Sequence, residues 1–265
     1  MIRPLGLVAC LCVLTGCVME PITGRRRLIL TPMSMETELG LQAWSETLKK
    51  ERLSTNASRT AAVTRVGDAL KKTVKASGYD WEFKLFESKQ ANAFCLPGGK
   101  IAVYEGLFDF LRNDAELAAV VGHEIAHATA RHGGERMTQA LAVNLGTAAL
   151  LYATSGQGAE QQQRWLLAYT GISNLGVILP YSRVHEYAAD RIGLIYMARA
   201  GYDPRAAVNF WTSFAAGKGK QSAISEFLST HPLGEKRIAK LKEHMGQALA
   251  EYRKAPKRHG YGQTY

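Results

Sequence analysis

The 265 residues are 46% hydrophobic and 21% charged, which suits a substantial folded core and excludes an intrinsically disordered chain. The formal charge of +10 invites a nucleic-acid reading. However, Lys and Arg are scattered, no RNP, zinc-finger or basic-zipper pattern accompanies them, and a solvated surface near an anionic membrane explains them more simply.

The chain opens with Arg3, an apolar stretch from Leu5 to Leu14, and then Leu14-Thr15-Gly16-Cys17, which looks like a bacterial lipoprotein signal. Residues 1–16 would be removed, Cys17 would be acylated, and residues 17–31 would form a lipidated tether. The apolar stretch is shorter than the roughly 20 residues a spanning helix needs. An ordinary signal peptide or a buried N-terminal strand is the alternative, and Leu7-Val8-Ala9-Cys10 is a rival cleavage match with too few apolar residues ahead of it. Cys10 and Cys12 would leave with the signal, so Cys95 alone would remain free, without an internal disulfide, as a small core residue. Val18, where an Asp would signal inner-membrane retention in Gram-negative lipoproteins, suggests the outer membrane.

A single domain is expected over residues 32–253. Met35 to Arg52 and Ala57 to Ala76 read as amphipathic helices, the second with Val63, Val66, Leu70 and Val74 along one face, and Gly78 ends the pair. Glu82 to Glu87 alternates charged and apolar residues as a half-buried strand does. Ala91 to Leu96 and Lys100 to Tyr104 flank Pro97-Gly98-Gly99, which predicts a hairpin around a tight turn.

Ala115 to Ala130 then reads as a helix capped by Asn113 or Asp114, with Glu116 in its first turn and Leu117, Val120, Val121, Ile125 and Ala128 at helical spacing. It carries His123-Glu124-Ile125-Ala126-His127. Residues four apart are neighbours on a helix surface, so both imidazoles can face one Zn²⁺ at about 2.0–2.1 Å. Glu124 would then take the proton of a water that zinc has acidified to a pKa of roughly 7, and return it as proton donor later. A satisfied structural pair is the alternative, but two buried histidines without a partner would be costly.

Met137 to Thr154 carries no charged residue. Gln139, Asn144, Gly146 and Thr147 favour a buried helix packing small residues over a membrane span. Ser155 to Arg164 reads as a loop and helix start. Arg183 to Ala200, Pro204 to Ala216 and Gly234 to about Arg253 read as further helices, followed by a basic tail over 254–265.

A hydrolytic zinc needs a third protein ligand. Glu186 and Asp190 lie four apart, so Glu186 can reach the metal while Asp190 accepts a hydrogen bond from the far nitrogen of a liganding histidine. A solvated acidic face salted by Arg183 and Arg191 is the competing reading.

Four blocks carry a resemblance. They are Asn92-Ala93-Phe94-Cys95-Leu96-Pro97-Gly98-Gly99 with Ile101 to Leu107, the His123 to His127 motif, Leu179-Pro180-Tyr181-Ser182-Arg183 running into Glu186 and Asp190, and Thr230-His231-Pro232. In order and spacing they resemble the zinc metallopeptidase family of the CAAX prenyl proteases and HtpX, particularly its periplasmic lipoprotein branch of the LoiP and BepA type. The resemblance implies a zincin-like, mainly α-helical α+β fold with a small antiparallel β-sheet beside the motif helix. It also implies Glu186 as third zinc ligand, and a strand edge at Asn92, Ala93, Phe94, Gly98 and Gly99 that binds substrate as an added strand. His231 would lie near the zinc, as a ligand in a latent state or as an oxyanion stabiliser; capping of the Pro232 turn is the alternative. Ala188 stands where the family commonly carries a second acidic residue, which questions the surrounding salt-bridge network.

The expectation is a lipid-anchored zinc endopeptidase on the periplasmic face of the outer membrane, acting on unfolded or misassembled envelope polypeptides, with outer-membrane assembly machinery as a further partner. The rival is a chaperone or assembly factor that holds outer-membrane polypeptides along the same edge, with its zinc latent.

Overall fold

The computed structural model describes residues 17–265 except 75–77, 174–178, 217–220 and 233, so the signal expected over 1–16 lies outside the described residues. The fold is mainly α-helical with small β-sheets, and it divides into two compact units: residues up to Met35 with Arg131–His185, and Glu36–Ala130 with Glu186–Tyr265.

The larger unit is built on helices α1 (Met33–Lys50) and α2 (Ala57–Lys71) and on strands β3 (Glu82–Phe86), β4 (Ala93–Leu96) and β5 (Lys100–Tyr104); β1 and β2 belong to the smaller unit. Asn56 caps α2 by accepting from Arg59 N, and the apolar stripe Val63, Val66 and Leu70 is buried as its spacing predicts. Gly67 lets the Phe83 ring lie where a Cβ would sit 2.5 Å from it, so α2 seats directly on β3.

The hairpin β4–β5 is antiparallel, as expected, with Ala93 opposite Val103 and Leu96 opposite Lys100. The expected small antiparallel sheet is present in this hairpin, and β3 joins it parallel to β5. The physical reason is strand order: β5 folds back into the middle, giving β3-β5-β4, so β3 runs with β5. The central strand β5 is buried throughout, and Trp44 of α1 packs edge-on against Phe86 at a centroid distance of 5.8 Å. Gly98 and Gly99, at φ +89° and +92°, supply the left-handed turn.

A 3₁₀ turn (Glu105–Asp109) leads into α3 (Asp114–Thr129), whose N-terminus is capped as read, with Asn113 Oδ1 accepting from Glu116 N. Nearly all of α3 is buried. The chain closes with the second part of α6 (Leu179–Arg199), α7 (Arg205–Ala215), α8 (Gln221–Thr230) and α9 (Glu235–Lys254). Helix α8 is absent from the sequence reading, being short and without a capping signature. Helices α3 and α6 cross in backbone contact: a Cβ on Gly193 would meet His123 N at 2.8 Å, and one on Gly122 would meet Gly193 O at 3.1 Å.

The tail after Lys254, expected as a solvated basic segment, instead runs back over the start of α3. The amides of Asp114 and Ala115 donate to Gln263 O and Tyr261 O, and Tyr265 Oη donates to Asp114 Oδ1 at 2.7 Å. Orphan donors at the helix start are thereby satisfied, a role that basic composition does not reveal.

The smaller unit corrects two expectations. Residues 17–31 are not a plain tether: β1 (Cys17–Met19) and β2 (Arg26–Leu28) form an antiparallel ribbon, and Leu30 N donates to Thr138 Oγ1 of α4 (His132–Ala153). Glu135 of α4 accepts from Arg25 at 2.6 Å and lies 3.0 Å from His185 Nε2. Helix α4 pairs with α5 (Ala159–Ser173), where Gly146 admits the Tyr169 hydroxyl, which donates to Val143 O. The close small-residue packing expected of 137–154 is therefore present, but the helix is not buried: only His132, Gly134, Glu135 and Thr138 are. One flank packs on α5 and β2 while the rest faces solvent. Among the described residues, no helix is long and apolar enough to cross a membrane.

Candidate active site

One turn of α3 brings His123 and His127 together, with their Nε2 atoms 3.1 Å apart. Helix α6 supplies Glu186, whose Oε2 lies 3.3 Å from His123 Nε2 and whose Oε1 lies 3.3 Å from His127 Nε2. The residue after α8, His231, places Nδ1 3.3 Å from His123 Nε2 and 3.2 Å from Glu186 Oε2. All four residues are buried, and their donor atoms lie within 4.8 Å of one another. A tetrahedral cation with arms of 2.0–2.1 Å requires donors about 3.3–3.4 Å apart. The donor chemistry, two or three imidazoles and a carboxylate, and the observed edges both fit zinc. This group lies within the larger unit.

The supporting groups follow the expected logic and add to it. Asp190, one turn beyond Glu186 on α6, lies 2.9 Å from His123 Nδ1. That contact leaves Nε2 facing the other donors. Burial raises the Asp190 carboxyl, but Arg237 outweighs it and holds the group below its usual range. The Arg237 guanidinium forks onto Asp190 at 2.8 and 2.7 Å, reaches Glu186 at 3.0 Å, and lies over the Trp211 ring at 4.9 Å. Trp211 packs edge-on against His123, and His231 stacks on Phe227. Neither Arg237 nor Trp211 was identified from sequence; Arg237 lies six residues past His231, in the first turn of α9. Its partnering of Glu186 and Asp190 supplies the counter-charge in the network that Ala188 had put in question.

The electrostatics divide the two motif histidines. Burial pushes His127 down to about 3, so it is neutral and ready to donate a lone pair. Burial also works against protonated His123, but hydrogen bonds with Asp190 and Glu186 outweigh it and raise the group to about 9. A bound cation would take the place of that proton. Glu186 is held well below its usual range, because its bonds with His123, His127 and His231 overcome burial.

Glu124 is buried beside the cluster, its Oε1 has no hydrogen-bond partner among the described residues, and burial raises its pKa. Its Oε1 lies 3.6 Å from His231 Nε2. Glu124 also acts on Cys95 of β4, whose thiol is pushed up first by burial and then by this negative charge. The β4 strand therefore runs beside the free carboxylate.

Among the described residues β4 pairs with β5 alone, which leaves its other edge without a partner strand at Ala93 and Phe94; just before it, Ala91 N donates to Ala223 O and Asn92 Nδ2 donates to Glu226, both of α8. Asn92 turns its side chain back to accept from Ala93 N, and Phe94 packs toward the Trp44 and Tyr104 core. Gly98 and Gly99 are not on that edge: their carbonyls accept from Asp80 N and Glu82 N on the β3 side, so their part is to turn the hairpin. Cys17, expected to carry the lipid, is exposed at the start of β1.

The model of Peptidase family M48 matches residues 57–245. The mitochondrial metalloendopeptidase OMA1 of Schizosaccharomyces pombe is 35% identical over 234 residues, 86% of this chain and 66% of that protein. The OMA1 metalloendopeptidase of Homo sapiens is 31% identical over 257 residues, 92% of this chain and 49% of its own. The beta-barrel assembly-enhancing protease of Escherichia coli K12 is 30% identical over 169 residues, 63% of this chain and 35% of its own. The chain thus spans between about a third and two thirds of the length of these relatives.

Proposed function

Because this chain belongs to peptidase family M48, a family of zinc metalloproteases, we propose that it hydrolyses peptide bonds of unfolded or misassembled envelope polypeptides, with His123, His127 and Glu186 as zinc ligands. The observation that carries the ligand assignment is the set of buried donors at tetrahedral spacing. Zinc, when bound, supplies a Lewis acid for the scissile carbonyl and a means of acidifying water near neutral pH.

The chain's own residues do the rest. Glu124 removes the proton of the attacking water with its unpartnered oxygen, a step that burial favours by making the carboxylate more basic, and the resulting acid then passes that proton to the more basic leaving amine. Asp190 orients His123, and Arg237 orients Asp190. A substrate strand adds to the open edge of β4, where backbone pairing holds it with little sequence demand. A denatured β-barrel protein should be cleaved by the full chain, lose cleavage on chelation and regain it with zinc; cleavage that survives chelation would refute the metal assignment.

His231 sets a second state. Its Nδ1 has the spacing of a fourth donor, and a fourth protein donor would close the position that a hydrolytic site leaves to water or substrate. We read it as a latch, and in this closed state the chain holds polypeptides without cutting them, as an assembly factor would. His231→Ala should therefore keep its zinc and cleave denatured substrate several-fold faster; a fall in rate with metal content unchanged would assign His231 to oxyanion support instead.

The site of action we infer is the periplasmic face of the outer membrane, with Cys17 as the acylated anchor. Bacterial relatives named for β-barrel assembly support this reading. Cys17→Ser should abolish labelling by radioactive palmitate, and a variant that still labels would overturn the anchor.

A further inference from the structure

The smaller unit holds a cavity of about 500 Å³ bounded by β2, α4 and α5, with no part in the chemistry above. Arg27 projects into it, is only 4% exposed, and has no hydrogen-bond partner for Nε or Nη1 among the described residues. Gln139 Nε2, from α4, is a second buried donor there without a partner. Leaving such donors unpaired costs about 1–3 kcal/mol each, and more for a charged group. Burial lowers the Arg27 pKa although Glu135 and Glu20 stand nearby.

The nearby carboxylates are already committed. Glu135 is held by Arg25 and His185, and Glu20 accepts from the amides of Ile22 and Thr23. An anion is therefore the ligand that these donors fit. Leu28, Ala142, Val143 and Ile172 make part of the remaining wall apolar, beside Thr138, Tyr169 and Ser173, which suits an anion that carries hydrocarbon.

The outer surface of the same helix pair points the same way. On α4, Leu141, Leu145 and Tyr152 share one helical face and are 47%, 63% and 85% exposed. On α5, Trp165 and Ile172 are spaced seven apart and are 47% and 72% exposed. Such an exposed apolar stripe has the character of one lying in the bilayer interface.

We propose that this cavity binds the phosphate headgroup of an anionic phospholipid, with Arg27 and Gln139 donating to it while the outer stripe of α4 and α5 lies among the acyl chains. Arg25 and Arg26 at the rim add long-range attraction to an anionic surface. The contact is independent of both the zinc chemistry and the lipid on Cys17.

The test uses the full chain carrying Cys17→Ser, so that acylation does not mask the effect. Its flotation is measured with vesicles of phosphatidylcholine alone and of phosphatidylcholine with phosphatidylglycerol, at salt high enough to screen the rim. The protein should float with the phosphatidylglycerol vesicles, and Arg27→Gln should weaken this by roughly tenfold or more. Zinc content, cleavage of denatured substrate and melting temperature should stay unchanged in that variant. Tyr152→Ser with Leu145→Ser should weaken vesicle binding but keep binding of monomeric short-chain phosphatidylglycerol. Should Arg27→Gln melt early, Gln139→Leu decides by the same flotation. Equal binding to both vesicle types, wild-type binding by Arg27→Gln, or inorganic phosphate competing as well as the short-chain lipid would each overturn the proposal.

Discussion

Glu124→Gln should lower cleavage of a denatured substrate by a hundred- to ten-thousandfold, roughly the range that general base catalysis contributes. The zinc content of the variant should equal that of the wild type, because Glu124 is not among the four clustered donors. Its fold should be at least as stable, since burial disfavours the carboxylate and one oxygen has no hydrogen-bond partner among the described residues. Three measurements separate the outcomes: rate, metal by atomic absorption, and melting temperature. A variant that keeps its zinc and still cleaves at the wild-type rate would remove Glu124 from the mechanism, whereas loss of zinc along with activity would make it structural.

The second large effect belongs to Arg237→Ala. Arg237 is buried and faces two buried carboxylates, Asp190 by a two-pronged contact and Glu186 at 3.0 Å. Removing one partner of such a buried network typically costs about 3–5 kcal/mol, because the remaining charges stay buried and uncompensated. Chemical denaturation should show a loss of that order, and zinc affinity should fall as Asp190 ceases to hold His123.

The pH dependence should change with it. In the wild type the Asp190 carboxyl is held below its usual range, so its contribution is complete above the ordinary value of about 4 and is lost as pH falls through the native value. Without Arg237 one of the two partners that lower this carboxyl is gone and His123 alone remains, so the Asp190 carboxyl should move up and the variant's loss of stability on acidification should begin at higher pH. A variant with wild-type denaturation midpoints at every pH would show that the pair is dispensable.

What the sequence made legible was whatever is written in local spacing. The pairs His123 with His127 and Glu186 with Asp190 are each one helical turn apart, and Asn113 caps α3 through its own side chain. The Pro97 turn declares its hairpin in the same way. What stayed hidden depends on which elements meet.

Gly122 and Gly193 look like interruptions of good helices, yet their meeting sets the crossing that delivers Glu186 to His123. Arg237 resembles any helix-start cation until α9 brings it against α6. The tail after Lys254 was read from charge alone, while its backbone is what caps α3. The strand edge was partly legible: Ala93 and Phe94 belong to β4, but β5's central place in the sheet turns Gly98 and Gly99 to the opposite side.

The open edge of β4 has a further consequence. A strand of four residues pairs only with chain that has already come free of its own fold. On the proposed mode of binding, the quantity that selects a victim is the free energy the target must spend to expose a short extended stretch. Each additional 1.4 kcal/mol of local stability in the target would then slow its destruction about tenfold. The enzyme would act as a thermometer of its clients' folding, sparing a finished barrel and a native globule alike without having to know the sequence of either.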